Sequence, residues 1–215
     1  CRVIGPPWAD NRDQVRAWGE LLRWTENVEE DLLASHMRPA DAAILVDNTS
    51  EMNTPFTRTS VTPSRPLRGR YDVFACLMDS QVPVEIVGRE EIVEDDALAR
   101  YRALYVVDPH VADDAQGRIK QWVRDGGVLW ASHAALMRKE YDEPSRLFDD
   151  VFGLEERGPL VTADDIRNAE DGERIVVRDS KLLPEVSYDA AAIRPQWRLG
   201  GAQVLARFED GAPAL

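Results

Sequence analysis

The chain has 215 residues, 44% of them apolar, and a formal net charge of −13. That is enough apolar material for one large domain or a domain with an appendage. There is no cluster of lysine and arginine to displace counterions, which argues against nucleic acid and anionic membrane as partners. Cys1 and Cys76 are too few for a disulfide framework in a chain this long. No apolar run approaches the ~20 residues that span a bilayer, and no signal peptide is legible. The sequence opens on cysteine, which reads as a piece cut from a longer protein. A targeting signal could have left with the rest, and the expected location is cytoplasmic.

Residues 1–10 carry Gly5-Pro6-Pro7-Trp8 and read as an irregular entry. Asn11 or Asp13 is placed to cap a helix running to about Ala34. Val15, Trp18, Leu22, Val28 and Leu32 recur at helical spacing, flanked by Leu21 and Leu33. Trp24 lies off that stripe, so two surfaces need cover. Trp18, Leu22 and Trp24 are therefore the expected interface residues, and self-association into a homo-oligomer the expected outcome. Arg38-Pro39-Ala40-Asp41 breaks the pattern and divides residues 1–38 from a main domain at 39–215.

Ala42–Val46 reads as a buried strand ending at Asp47. Residues 48–69 are rich in Thr, Ser, Pro and Asn, lack periodicity and read as a long loop. A helix follows at 71–78 with Val73, Phe74, Leu77 and Met78 inward, then a strand at 84–87. Leu98 and Tyr101 belong to a short helix or turn. The stretch 101–135 is the clearest in the chain: strand 103–107, a stop at Asp108-Pro109, a helix at 115–124 capped by Asp113 or Asp114, Gly126-Gly127 as its terminator, and a buried strand at Val128–Ala131. That is a right-handed βαβ unit. A helix is predicted over 143–152 with Leu147, Val151 and Phe152 buried, closed by Gly153. Beyond Gly158, residues 175–177 and 204–208 read as strands. The fold class is α/β: an open, mostly parallel sheet with helices on both faces, a β-rich C-terminal tail and an N-terminal helix.

Ligands in such a sheet sit at the carboxyl ends of the strands. Asp47, Asp108, His110, Ser132 and His133 arrive there. Ser132 resembles the nucleophile of a strand-to-helix elbow, which needs small residues two before and two after it; Ala134 fits and Trp130 does not. A hydrolase would use Ser132, His133 and Asp108. A ligand-binding module would use Asp47, His110 and His133, and the two histidines with either aspartate are the only candidate metal set, at a spacing that matches no metal pattern. The plainer reading is that these groups cap helices and bond loop backbone. Cys76, beside Phe74 and Leu77, reads as a buried and inert thiol. Glu90-Glu91 and Glu94-Asp95-Asp96 read as a solvated face. No glycine-rich phosphate loop follows any strand, and no cofactor is implied.

A strand ending in Asp, a helix, Pro-Val-Glu-Ile-Val at 83–87, Leu-Ala-Arg-Tyr-Arg-Ala-Leu-Tyr-Val-Val-Asp-Pro at 98–109, a helix, Asp-Gly-Gly-Val-Leu-Trp-Ala-Ser at 125–132, Tyr-Asp-Glu-Pro at 141–144 and Val-Phe-Gly-Leu at 151–154 form an ordered set. Together they resemble the β-galactosidase trimerisation domain, the class I glutamine amidotransferase-like (flavodoxin-like) domain of family 42 β-galactosidases and related glycoside hydrolases. The likeness covers residues 40–158, and Phe-Glu-Asp-Gly-Ala-Pro-Ala at 208–214 resembles the strand and turn near that domain's end. The resemblance implies an amidotransferase relative that has lost its catalytic cysteine, with Ser132 where that nucleophile would stand. It also implies a non-catalytic role in packing subunits and bordering the active site of a separate (β/α)8 barrel, with carbohydrate as a neighbour. On this view residues 15–34 resemble the last helix of that barrel, Arg38-Pro39 is the hinge, and the barrel's two catalytic carboxylates lie outside this chain.

Overall fold

The structure, a computed structural model, describes residues 12–35, 38–53, 65–158, 173–177, 184–190 and 196–214. The chain divides into two compact units, Cys1–Pro39 and Ala40–Leu215. The first holds α1 (Arg12–Glu26) and α2 (Glu29–Ala34). The single helix expected here is broken at Asn27-Val28, whose amides bond back to Trp24 and Thr25 in a turn.

In the second unit, β1 (Ala42–Val46), β2 (Val84–Gly88), β3 (Ala103–Val106) and β4 (Val128–Ala131) form one fully parallel sheet of order β2-β1-β3-β4, as the alternation of apolar runs and helical stretches predicts. Central β1 is apolar on both faces because both are covered. One face presents Ala43, Leu45, Val87, Leu104 and Val106 to α5 (Arg89–Glu94), a 3₁₀ turn at Ala97–Arg100 and α6 (Asp113–Arg124). Ile92, Leu98, Ile119, Leu136 and Phe148 complete that core. α4 (Arg65–Asp79) packs on β1 and β2 over the other face, where Gly69 approaches the Val107 side chain. α6 ends at Gly126, whose φ of +109° only glycine takes comfortably.

Several expectations are corrected. β4 is an edge strand rather than a buried one, with Val128 61% and Trp130 41% exposed. Within the stretch read as a loop, Asn48–Asn53 is a helix, α3, and α4 begins at Arg65; residues 54–64 lie outside the described residues. α3 has no apolar stripe and is held by hydrogen bonds, so hydrophobic periodicity could not announce it. Met78 and Cys76 face outward, so the thiol is exposed. The first turn of α6 draws on Asp114, whose Oδ1 accepts the Ala115 N–H at 2.7 Å, and also on Asp47, which accepts the Ala112 N–H from a distance. Of the helix expected over 143–152 only α7 (Asp149–Phe152) forms. Pro144 instead bridges Arg138, and Ser145 N–H donates to the Met137 carbonyl, folding that segment on itself. Phe148 is the buried residue there, while Leu147 is exposed.

After α7, β5 (Leu154–Arg157) pairs antiparallel with β8 (Trp197–Leu199). β6 (Glu173–Val177) pairs antiparallel with β7 (Val186–Ala190) and β9 (Ala206–Phe208) around a small core of Ile175, Val177, Ala206 and Phe208. Among the described residues no helix is long and apolar enough to cross a membrane.

Candidate functional site

The carboxyl ends of β1 and β3 place Asp47 and Asp108 side by side, because the strands run parallel and each ends where its apolar run stops. Asp47 is buried. Its Oδ1 accepts the Thr49 N–H at 2.9 Å, starting α3, and its Oδ2 accepts the Ala112 N–H at 3.1 Å, starting α6. Asp108 is wholly buried and faces Arg70 of α4, whose Nε donates at 3.1 Å and Nη2 at 2.8 Å. The same guanidinium donates to the Asp47 carbonyl and, through Nη1, to Glu51 of α3, both at 2.8 Å. Burial pushes the Asp108 carboxyl up to about 6, with Arg70 pulling the other way. Arg70 is the residue that sequence reading passed over. The available signal was two aspartates at adjacent strand ends, which need a cation between them once buried.

His110 follows two residues after Asp108. Its backbone N–H and carbonyl both bond the Ser50 hydroxyl at 2.9 Å. Its ring Nε2 lies 2.8 Å from Asp142 Oδ1, and its buried Nδ1 has no partner among the described residues. No group of three or more His, Cys, Asp or Glu among the described residues is placed to hold a metal ion.

Ser132 and His133 lie at the end of β4, and they open onto a different place. Ser132 Oγ donates to the Val107 carbonyl at 3.3 Å, while the Asp108 carboxylate is taken up by Arg70. Ser132 and Asp108 of the hydrolase reading are thus bonded elsewhere, and no hydrogen bond links either of them to the His133 ring among the described residues. Ser132 and His133 line an open cleft of about 170 Å³ with Phe152, Arg157, Trp197 and Gln203. Arg157, at the end of β5, passes its Nη2 hydrogens to the carbonyls of His133 and Ala135 at 2.9 and 2.7 Å, and its guanidinium lies 5.3 Å from the centre of the Phe152 ring. Loss of water around the ring, and then the Arg157 charge, hold His133 below the ordinary imidazole value.

No family model and no curated protein matches the chain. Solved structures do. A catalytic mutant of Gan42B, a GH42 β-galactosidase from G. stearothermophilus, superposes over 96% of this chain with a TM-score of 0.67 at 19% identity. The fold is one found within GH42 β-galactosidase chains. Gan42B itself matches over 82% of this chain, TM-score 0.61 and 20% identity, and the β-galactosidase from Bacillus circulans sp. alkalophilus over 83%, TM-score 0.63 and 18% identity. The chain spans only 25–30% of the length of these enzymes.

Proposed function

We propose that this chain is a non-catalytic assembly domain of a glycoside hydrolase, packing subunits and bordering the active site of a separate barrel domain. The observation that carries the reading is the lopsided coverage: 82–96% of this chain aligns with under a third of each β-galactosidase. The strand ends support it, since Asp47, Asp108 and Ser132 are occupied in holding helices and loops. A glycosidase needs two carboxyl groups ~5–9 Å apart across an open sugar site, whereas Asp47 and Asp108 are buried. Trp18, Leu22 and Trp24, exposed at 37%, 46% and 64%, are the side chains proposed to meet another subunit. A cytoplasmic location belongs to the same reading and fits an exposed free thiol at Cys76.

Two measurements test it. Sedimentation equilibrium of the chain should show concentration-dependent association that Trp18→Glu/Leu22→Glu abolishes, because burying each such side chain is worth roughly 1.5–3 kcal/mol. Aryl galactosides and aryl esters should not be turned over above background. A monomer at every concentration would reject the assembly role, and turnover lost in Ser132→Ala would establish the hydrolase instead.

A further inference from the structure

The cleft at the end of β4 has an unusual charge balance for this protein. The chain carries −13 overall, yet among the described residues no carboxylate lines the cleft, and the one permanent charge among those that line it is Arg157. Arg70, Arg89, Arg138, Arg146 and Arg198 each reach a carboxylate within 4 Å. Among the described residues Arg157 hydrogen-bonds two backbone carbonyls and lies over the face of Phe152, and its Nε and Nη1 have no hydrogen-bond partner. Asp149 is the carboxylate whose charge favours the Arg157 cation, without hydrogen-bonding it among the described residues, and a bidentate carboxylate is the partner whose geometry matches a guanidinium. Burial holds Arg157 below the ordinary guanidinium value. The remaining walls are chiefly apolar and include two aromatic rings, Phe152 and Trp197, with the Gln203 amide as a further donor.

We propose that this cleft binds a small organic carboxylate with a flat apolar face, its carboxylate paired with Arg157 and Gln203 and its face against Trp197 or Phe152. Nε and Nη1 lie below the cleft surface, so full pairing requires the Arg157 side chain to turn outward, exchanging carbonyl bonds for a charge-assisted pair. Aromatic acids and sugar acids share this chemistry. The proposal stands apart from the assembly role and holds or fails independently of it.

The test is titration of the full chain with sodium benzoate, benzamide and sodium glucuronate, followed by calorimetry and by NMR of the His133 ring. Benzoate or glucuronate should bind saturably at millimolar concentration, with benzamide weaker by about tenfold for lack of charge. The bound anion should raise the His133 pKa, since a negative neighbour favours the imidazolium. The tighter of the two acids assigns the class. Arg157→Met and Gln203→Ala should each weaken acid binding and leave benzamide unchanged; Gln203 is exposed, so that variant folds even if Arg157→Met does not. Equal binding of benzamide and benzoate, an unmoved His133 titration, or no saturation by either acid would overturn the proposal.

Discussion

Replacing Arg70 by Met tests whether the strand-end ion pair is a structural clamp. The substitution keeps the aliphatic stem and removes donors to Asp108, Asp47 and Glu51. It strands a wholly buried carboxylate, and breaking one side of a buried pair costs about 3–5 kcal/mol. The cost should depend on pH, with a definite sign. The native Asp108 pKa, about 6, is raised above its ordinary value of 3.8. Its protonated form therefore contributes stability that is full below the lower value and lost as pH rises through the upper one. Arg70 lowers the native value, so in Arg70→Met it moves higher still. Above pH 6 the wild type no longer loses stability on this account, while the variant goes on losing about 1.4 kcal/mol per pH unit until its own pKa is passed. Urea unfolding followed by tryptophan fluorescence should give a penalty of about 1–2 kcal/mol at pH 5, from the lost hydrogen bonds, growing towards the full value by pH 8. Arg70→Met/Asp108→Leu should recover most of the loss at pH 8, because an apolar pair of similar volume replaces a buried ion pair at little cost. A penalty equal at both pH values, or a double variant no better than the single one, would refute the clamp.

Two further outcomes follow from packing. Phe148→Ala should cost about 3–5 kcal/mol in the same urea assay, since the ring is fully buried and stacks on Phe152 at 6.0 Å; Leu147→Ala, one residue earlier and exposed, should cost under about 1 kcal/mol. Gly127→Ala would drive a methyl group into the face of the Trp122 ring and should cost about 1–3 kcal/mol in thermal or chemical unfolding.

The parallel sheet was legible because each strand is a short apolar run bounded by Asp, Pro or Gly, and a run of that length cannot be a helix. The terminator Gly126-Gly127 and the αL turn at Gly153 were legible for the same local reason. What escaped was decided by distant partners. α3 is capped locally by Asp47 but is otherwise fixed by the carbonyls of His110 and Glu140, both far along the chain. α5 is largely acidic around one buried residue, Ile92, so its composition suggested a solvated face alone. The segment 143–148 has helical spacing, but its bridge to Arg138 won. The candidate residues were placed at the right strand ends. That Asp108 would be held by an arginine 38 positions earlier, and that Ser132 and His133 would open on a cleft completed by Trp197, needed the fold.

β1 is the first strand of the sheet to be made and sits near its middle, which sets an order of events during synthesis. Ala42 pairs with Val84 on one side and with Ala103 on the other, so the earlier partner is about forty residues away and the later about sixty. Until residues 84–88 have left the ribosome, the sequence Ala-Ala-Ile-Leu-Val, apolar on both faces, has no strand to pair with, and until 103–106 follow its second edge stays open. Local helices can form meanwhile, but loop closure across those distances must come before any sheet hydrogen bond. The nascent chain thus carries a bare, sticky strand for several seconds at ordinary elongation rates of roughly 5–20 residues per second. Synonymous codons that slow translation between β1 and β3 would lengthen that interval and lower the soluble yield without changing one atom of the folded protein.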